Sequence, residues 1–151
     1  MSRIRIVVAD QAEAIFYDTP SLRARPREVA HLSDPVARLH DRDLVTDRPG
    51  RSYESVGSAR HAITREDDPR HQEAVKFARR IARRLDDARR RDEFDDLIVV
   101  AGPPFLGMVR SALSRPTRER VVHEVRKDLV HSPVASLVRH LPATKAGLRP
   151  D

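Results

Sequence analysis

Cysteine and tryptophan are both missing from this chain, and its only aromatic rings are Phe16, Tyr17, Tyr53, Phe77, Phe94 and Phe105. Without cysteine there is no disulfide, no thiolate nucleophile and no cysteine-ligated metal, which fits a reducing compartment. With so few rings, the chain offers no series of aromatic faces on which single-stranded bases could stack. No apolar run approaches the ~18 residues of a membrane span. The apolar stretch after Met1 is too short for the hydrophobic region of a signal peptide and ends at Asp10. The expected location is therefore the cytoplasm, with no membrane partner. No internal repeat is visible, and low complexity is confined to the arginine-rich segment that ends at Arg91.

What the chain does have is charge. Charged residues make up 34% and hydrophobic residues 39% of 151 residues, and the net charge is +6. A chain of this length is most simply one domain and can bury a real core. Almost all of the 29 basic residues are Arg. Guanidinium groups contact phosphate in a bidentate manner, and a basic surface favours polyanionic partners. A GC-rich genome that encodes Arg in place of Lys produces the same composition.

The hydrophobic pattern sets out the elements. Residues 3–9 read as a buried strand rich in β-branched residues. Residues 10–13 are a turn, and 14–18 return as a second strand, forming a hairpin. Residues 27–32 read as a third strand with Val29 in the core. Asp34-Pro35 opens one helical turn through Leu39. Residues 40–69 then form a polar loop without apolar periodicity. Loops of that length inside a compact domain are uncommon and are usually functional or disordered.

Asp68-Pro69 has the form of an N-cap followed by a first-turn proline. From there Ala74, Phe77 or Ala78, Ile81, Leu85 and Ala88 fall on one helical face, and Arg79, Arg80, Arg83 and Arg84 fill the other. Leu97 to Ala101 is a continuous apolar strand, the pattern of a strand between parallel neighbours covered on both faces. Gly102-Pro103-Pro104 turns it into a helix carrying Leu106, Val109, Ala112 and Leu113. A strand follows near Val121 to Lys127. Ser132-Pro133 caps a final helix with Val134, Leu137, Val138 and Leu141, and Pro142 stops it. The order β-β-β-α-β-α-β-α predicts an α/β fold: a ribonuclease H-like mixed sheet flanked by helices. The domain is expected over residues 1–142, with 143–151 as a flexible tail.

Candidate chemistry is sparse. A metal-dependent nuclease of that fold would use Asp10, at the end of the first strand, and Glu73, in the first turn of the long helix. The fourth strand offers no acid at its C-terminal end, and Asp95 and Asp96 lie at the other. His61, Asp67, Asp68 and His71 match no zinc-ligand spacing. The turn at Gly102 sits where a phosphate loop would, but two prolines remove the backbone donors such a loop needs. No Ser occupies a nucleophile elbow. The chain therefore reads as non-enzymatic, with no cofactor and no metal, and its basic helix face is the main remaining signal.

Certain stretches are recognisable: Asp43-Leu44-Val45-Thr46-Asp47-Arg48-Pro49-Gly50-Arg51; His71-Gln72-Glu73 with Phe77-Ala78; Phe94 through Pro104; and Lys127-Asp128-Leu129 followed by Pro133. Together they resemble the bacterial host-attachment protein family over roughly residues 3–141, a family named for a role in attaching bacteria to host cells. That family looks similar to the middle domain of archaeal and eukaryotic peptide-release factors and of Pelota, which implies a ribonuclease H-like fold. In release factors the loop before the long helix carries Gly-Gly-Gln; residues 40–69 here hold Arg-Pro-Gly-Arg and no such tripeptide. Pelota-type proteins also lack it, so ribosome binding without hydrolysis is the implied activity. The expectation is a cytoplasmic protein that binds RNA or the ribosome, with a role in translation stress. Arg48, Arg51 and Arg60 in the loop would meet phosphates, and Arg79, Arg80, Arg83 and Arg84 on the helix would extend the footprint. The alternatives are a role in host attachment and the nuclease. A protein partner or self-association is also open to a small domain of this kind.

Overall fold

The computed structural model describes residues 3–37, 39 and 68–142. Their elements run β1 (Ile4–Ala9), β2 (Glu13–Thr19), β3 (Arg27–Ser33), α1 (Pro69–Arg90), β4 (Asp96–Ala101), α2 (Pro103–Ala112), α3 (Arg115–Arg118), β5 (Val121–Val125) and α4 (Val134–Arg139). Residues 35–37 make the helical turn expected after Asp34. The five strands form one mixed sheet in the order β3-β2-β1-β4-β5. β1 pairs antiparallel with β2 and parallel with β4, and β5 lies parallel to β4 on its other side.

The pattern of β1 and β4 explains the layering. Both are buried along nearly their whole length. Since successive side chains point to opposite faces, each strand feeds two cores. Val7, Ala9, Leu97, Val99 and Ala101 join α1 and α2 on one face. Ile4, Ile6, Val8, Ile98 and Val100 join Val130 and Leu137, from the segment after β5 and from α4, on the other. A continuous apolar run therefore marks a strand covered on both sides, as the sequence implied.

The hairpin is held by Asp10. Its carboxylate accepts from the backbone N–H groups of Ala12 and Glu13, each at 2.8 Å, and its own N–H donates to the Glu13 carbonyl at 2.9 Å. Across β1 and β2, the Arg5 guanidinium forks onto the Asp18 carboxylate and lies 5.6 Å above the Phe94 ring centre.

Three expectations need correction. Val29 does not reach the core; it is 37% exposed. The β2–β3 register shifts between Phe16 and Tyr17, pairing them with Ala30 and Glu28 and skipping Val29, so the extra residue of a bulge is left out of the alternation. Ser132 does not cap α4, because the N-cap position is Pro133, which has no side-chain acceptor. Glu73 lies beyond the first turn of α1, which contains no acid. α3 had no apolar periodicity to announce it; it is a turn built around Thr117, whose fully buried hydroxyl donates to Asp86.

Candidate functional site

The described structure presents one extended basic surface, the outer side of α1. The helix starts as its sequence requires. The Asp68 carboxylate accepts from the Arg70 N–H at 3.0 Å, and Pro69 occupies the first turn, where its missing N–H has no helical partner to lose. Arg89 and Arg90 sit in the last turn, where the backbone dipole favours cations. Ala74, Phe77, Ala78, Ile81, Ala82, Leu85 and Ala88 are all buried against the sheet. That stripe fixes which residues face outward.

The four arginines of the outer side are not equivalent. Arg80 and Arg84 lie on the flank toward β3 and fold back onto the protein. The Arg80 guanidinium sits 5.3 Å over the Phe77 ring and donates to the Ser33 carbonyl at 3.2 Å. Arg84 sits 5.8 Å over the Phe16 ring. Such contacts let a long side chain cover apolar surface while its charge stays near water. Arg79 and Arg83 are exposed, one helical turn apart, and form no ion pair among the described residues. They are therefore the members of the set with charge available for a partner.

On the side toward α2, the shoulder of α1 carries His71, Val75 and Arg79. Opposite lie Pro104, Gly107, Met108, Ser111 and Ala112 of α2, and the two helices enclose a furrow of about 490 Å³. Phe77 of α1 and Phe105 of α2 stack between the two helices, with ring centres 6.2 Å apart. Farther along, Ser114 donates to the Asp86 carboxylate at 2.7 Å and Arg89 donates to the Thr117 hydroxyl at 2.9 Å, tying α1 to the corner after α2. A second concavity of about 380 Å³, near Arg5, Arg84 and Arg91, also holds Asp87 and Glu93 and so has no single sign of charge.

The other sequence candidates are dispersed. Asp43, Asp47, Arg48, Pro49, Gly50, Arg51 and Arg60 lie outside the described residues. Lys127 and Asp128 are exposed in the connector that follows β5, the strand at the opposite sheet edge from β3. His71 opens the furrow, and Glu73 is half-buried on α1.

The acids do not converge on a nuclease centre. The Asp10 carboxylate serves its turn and lies 3.9 Å from His131 Nε2. Asp96 is paired in register with Ile4, at the far end of β1 from Asp10 and about 20 Å of strand away. Among the described residues no group of three His, Asp or Glu side chains could hold a metal ion. Asp95 instead accepts from the Arg3 backbone N–H at 2.8 Å and from its side chain, which together hold its carboxyl below the usual range. No helix among the described residues is long and apolar enough to cross a membrane. Met108 carries no signal in the sequence; Gly107 ends the Gly102-Pro103-Pro104-Phe105-Leu106-Gly107 stretch that lacks the donors of a phosphate loop, and a glycine inside a helix was the signal that could have drawn attention to the furrow.

Comparison with known proteins adds a family and a fold. No curated protein sequence matches the chain. A solved structure described as "Archaeal protein" is similar, with a TM-score of 0.53 at 8% sequence identity. The match covers 95% of this chain but only 35% of that one, so it is a likeness of fold over about a third of a longer protein. The family profile described as "Protein required for attachment to host cells" matches residues 5–141, from β1 to the end of α4. The chain therefore belongs to the host-attachment protein family.

Proposed function

We propose that this protein acts as a non-enzymatic binding domain in the attachment of the cell that makes it to host cells. The observation that carries the reading is the family match across all nine described elements. Deleting the gene and counting cells that adhere to a host monolayer tests it. Adhesion should fall and return on complementation; unchanged adhesion in the deletion strain would overturn the reading. Fractionating the producing cells adds where the chain acts, since a direct adhesin has to reach the surface.

A second reading is favoured by Arg79 and Arg83, exposed cations with no acid paired to them among the described residues. On this reading α1 lies against the phosphates of a structured RNA, such as that of the ribosome, by backbone and shape contacts rather than base stacking. The strand order β3-β2-β1-β4-β5, with only β2 antiparallel to β1 among its two neighbours, supports a ribonuclease H-like assignment and with it the kinship to release-factor middle domains. Arg48, Arg51 and Arg60 would add to the same footprint. Co-sedimentation of the purified protein with ribosomes, measured against salt, is the test. Multiple phosphate contacts should persist at about 0.1 M salt and weaken above it; no co-sedimentation at that salt would sink this reading.

A further inference from the structure

We propose that the furrow between α1 and α2 is a binding site for a short peptide segment of a partner protein, one that carries apolar side chains next to a carboxylate. This goes beyond the attachment reading and does not rest on it.

The shape comes first. The furrow's volume of about 490 Å³ lies within the range of roughly 300–1,000 Å³ typical of ligand clefts. Val75, Met108 and Ala112 give it an apolar floor, and each is only half-buried. From His71 to Arg79 it runs about 12 Å along the helix axis, the length of some two helical turns. Its walls do not need to form on binding, because the Phe77–Phe105 contact and the Asp86 hydrogen bonds already fix the two helices together.

Gly107 gives the second argument. Glycine inside a helix is destabilising relative to alanine, because it loses more backbone freedom on folding. A glycine is normally kept where φ is positive or where a neighbour approaches closely. Neither reason applies among the described residues. No glycine among the described residues has positive φ, and a Cβ built on Gly107 would meet nothing within 4 Å. The bare backbone instead deepens the furrow midway along α2, where an incoming side chain can reach the helix itself.

Charge identifies the occupant. Arg79 stands at the rim, with Lys76 and Arg83 beside it on the exposed side of α1, and none of the three forms an ion pair among the described residues. Arg80 and Arg84, on the other flank, are already committed to Ser33, Phe77 and Phe16. An apolar floor beside unpaired cations is complementary to an apolar side chain next to an Asp, a Glu or a terminal carboxylate. Among the described residues the furrow has no aromatic lining side chain on which a nucleobase could stack, so these observations favour peptide over RNA.

The test is selection of a phage-displayed random peptide library on the purified full chain, followed by fluorescence-anisotropy titration of the synthetic winner. The winners should combine Asp or Glu with Leu, Ile or Phe, and should bind more weakly as salt rises. Gly107→Leu, which fills the furrow, and Arg79→Glu, which reverses the rim charge, should each weaken binding on the order of tenfold or more. Lys127→Glu, in the connector after β5, should leave it unchanged. Arg79 is exposed, so its variant keeps the test decisive even where Gly107→Leu disturbs folding. Absence of any enriched peptide overturns the proposal, as does a winner that binds both variants as tightly as the parent. Binding of an oligouridine probe that displaces the peptide and is lost in Gly107→Leu would make the furrow an RNA site and would equally overturn it.

Discussion

Arg5 shows how a single residue can contradict its local pattern and still be explained. It interrupts an apolar strand and is 6% exposed, yet it stays charged. Burial opposes that charge, but hydrogen bonds and attraction from Asp18, with Glu93 nearby, outweigh it and raise the pKa. Arg5→Leu would leave the Asp18 carboxylate part-buried without its partner. We expect a loss of roughly 2–3 kcal/mol, measurable by urea denaturation, with much of it recovered in the double variant Arg5→Leu/Asp18→Asn. Asp95 makes a pH prediction. Its folded pKa lies below the ordinary carboxylate range, first through the Arg3 backbone N–H and then through the Arg3 side chain. A depressed carboxyl contributes stability above its unfolded pKa and loses it as pH falls through the lower folded value. Acid unfolding of Asp95→Asn should therefore be flatter than that of the parent below about pH 4. Neither partner was legible in the chain, since Arg3 and Asp95 are 92 residues apart.

At the scale of elements, the long helix was the most readable part. Its apolar period, its Asp68-Pro69 start and its basic end all appear in the structure over Pro69–Arg90. A period of three and four residues survives in any tertiary setting that buries one helical face. Phe77 is fully buried and stacks on Phe105; Phe77→Ala should cost about 3–5 kcal/mol, read as a lowered denaturation midpoint. Gly107 predicts the opposite sign. Gly107→Ala should stabilise α2 by about 0.5–1 kcal/mol, seen as a higher melting temperature, because the new methyl meets nothing. A lower melting temperature would mean that the backbone at Gly107 needs its freedom after all. Harder to read were Val29 and α3. A bulge is set by the partner strand's register, and a four-residue helix has too few positions to display a period.

The whole molecule is a sheet with a core on each face, and the two cores share strands β1 and β4. Shared strands should couple the two sides into one cooperative unit. Tyr17 lies in the core under α4, while most helical signal comes from α1 and α2 on the other face. Denaturation followed by tyrosine fluorescence in a Tyr53→Phe background and by far-ultraviolet circular dichroism should therefore give superimposable transitions. Two separated transitions would show that the faces unfold independently.

Local sequence determined the strands, the long helix, their order and the basic character of the outer surface, because period and charge are properties of neighbouring residues. Tertiary structure alone decided which arginines remain available. Arg79, Arg80, Arg83 and Arg84 look alike in the chain, but packing places Phe16, Phe77 and the Ser33 carbonyl beside two of them. The furrow was equally invisible in sequence, since it exists only where the shoulders of α1 and α2, more than 25 residues apart in places, are brought together over a common core. Burial and proximity are set by which elements meet, and no local pattern carries that information.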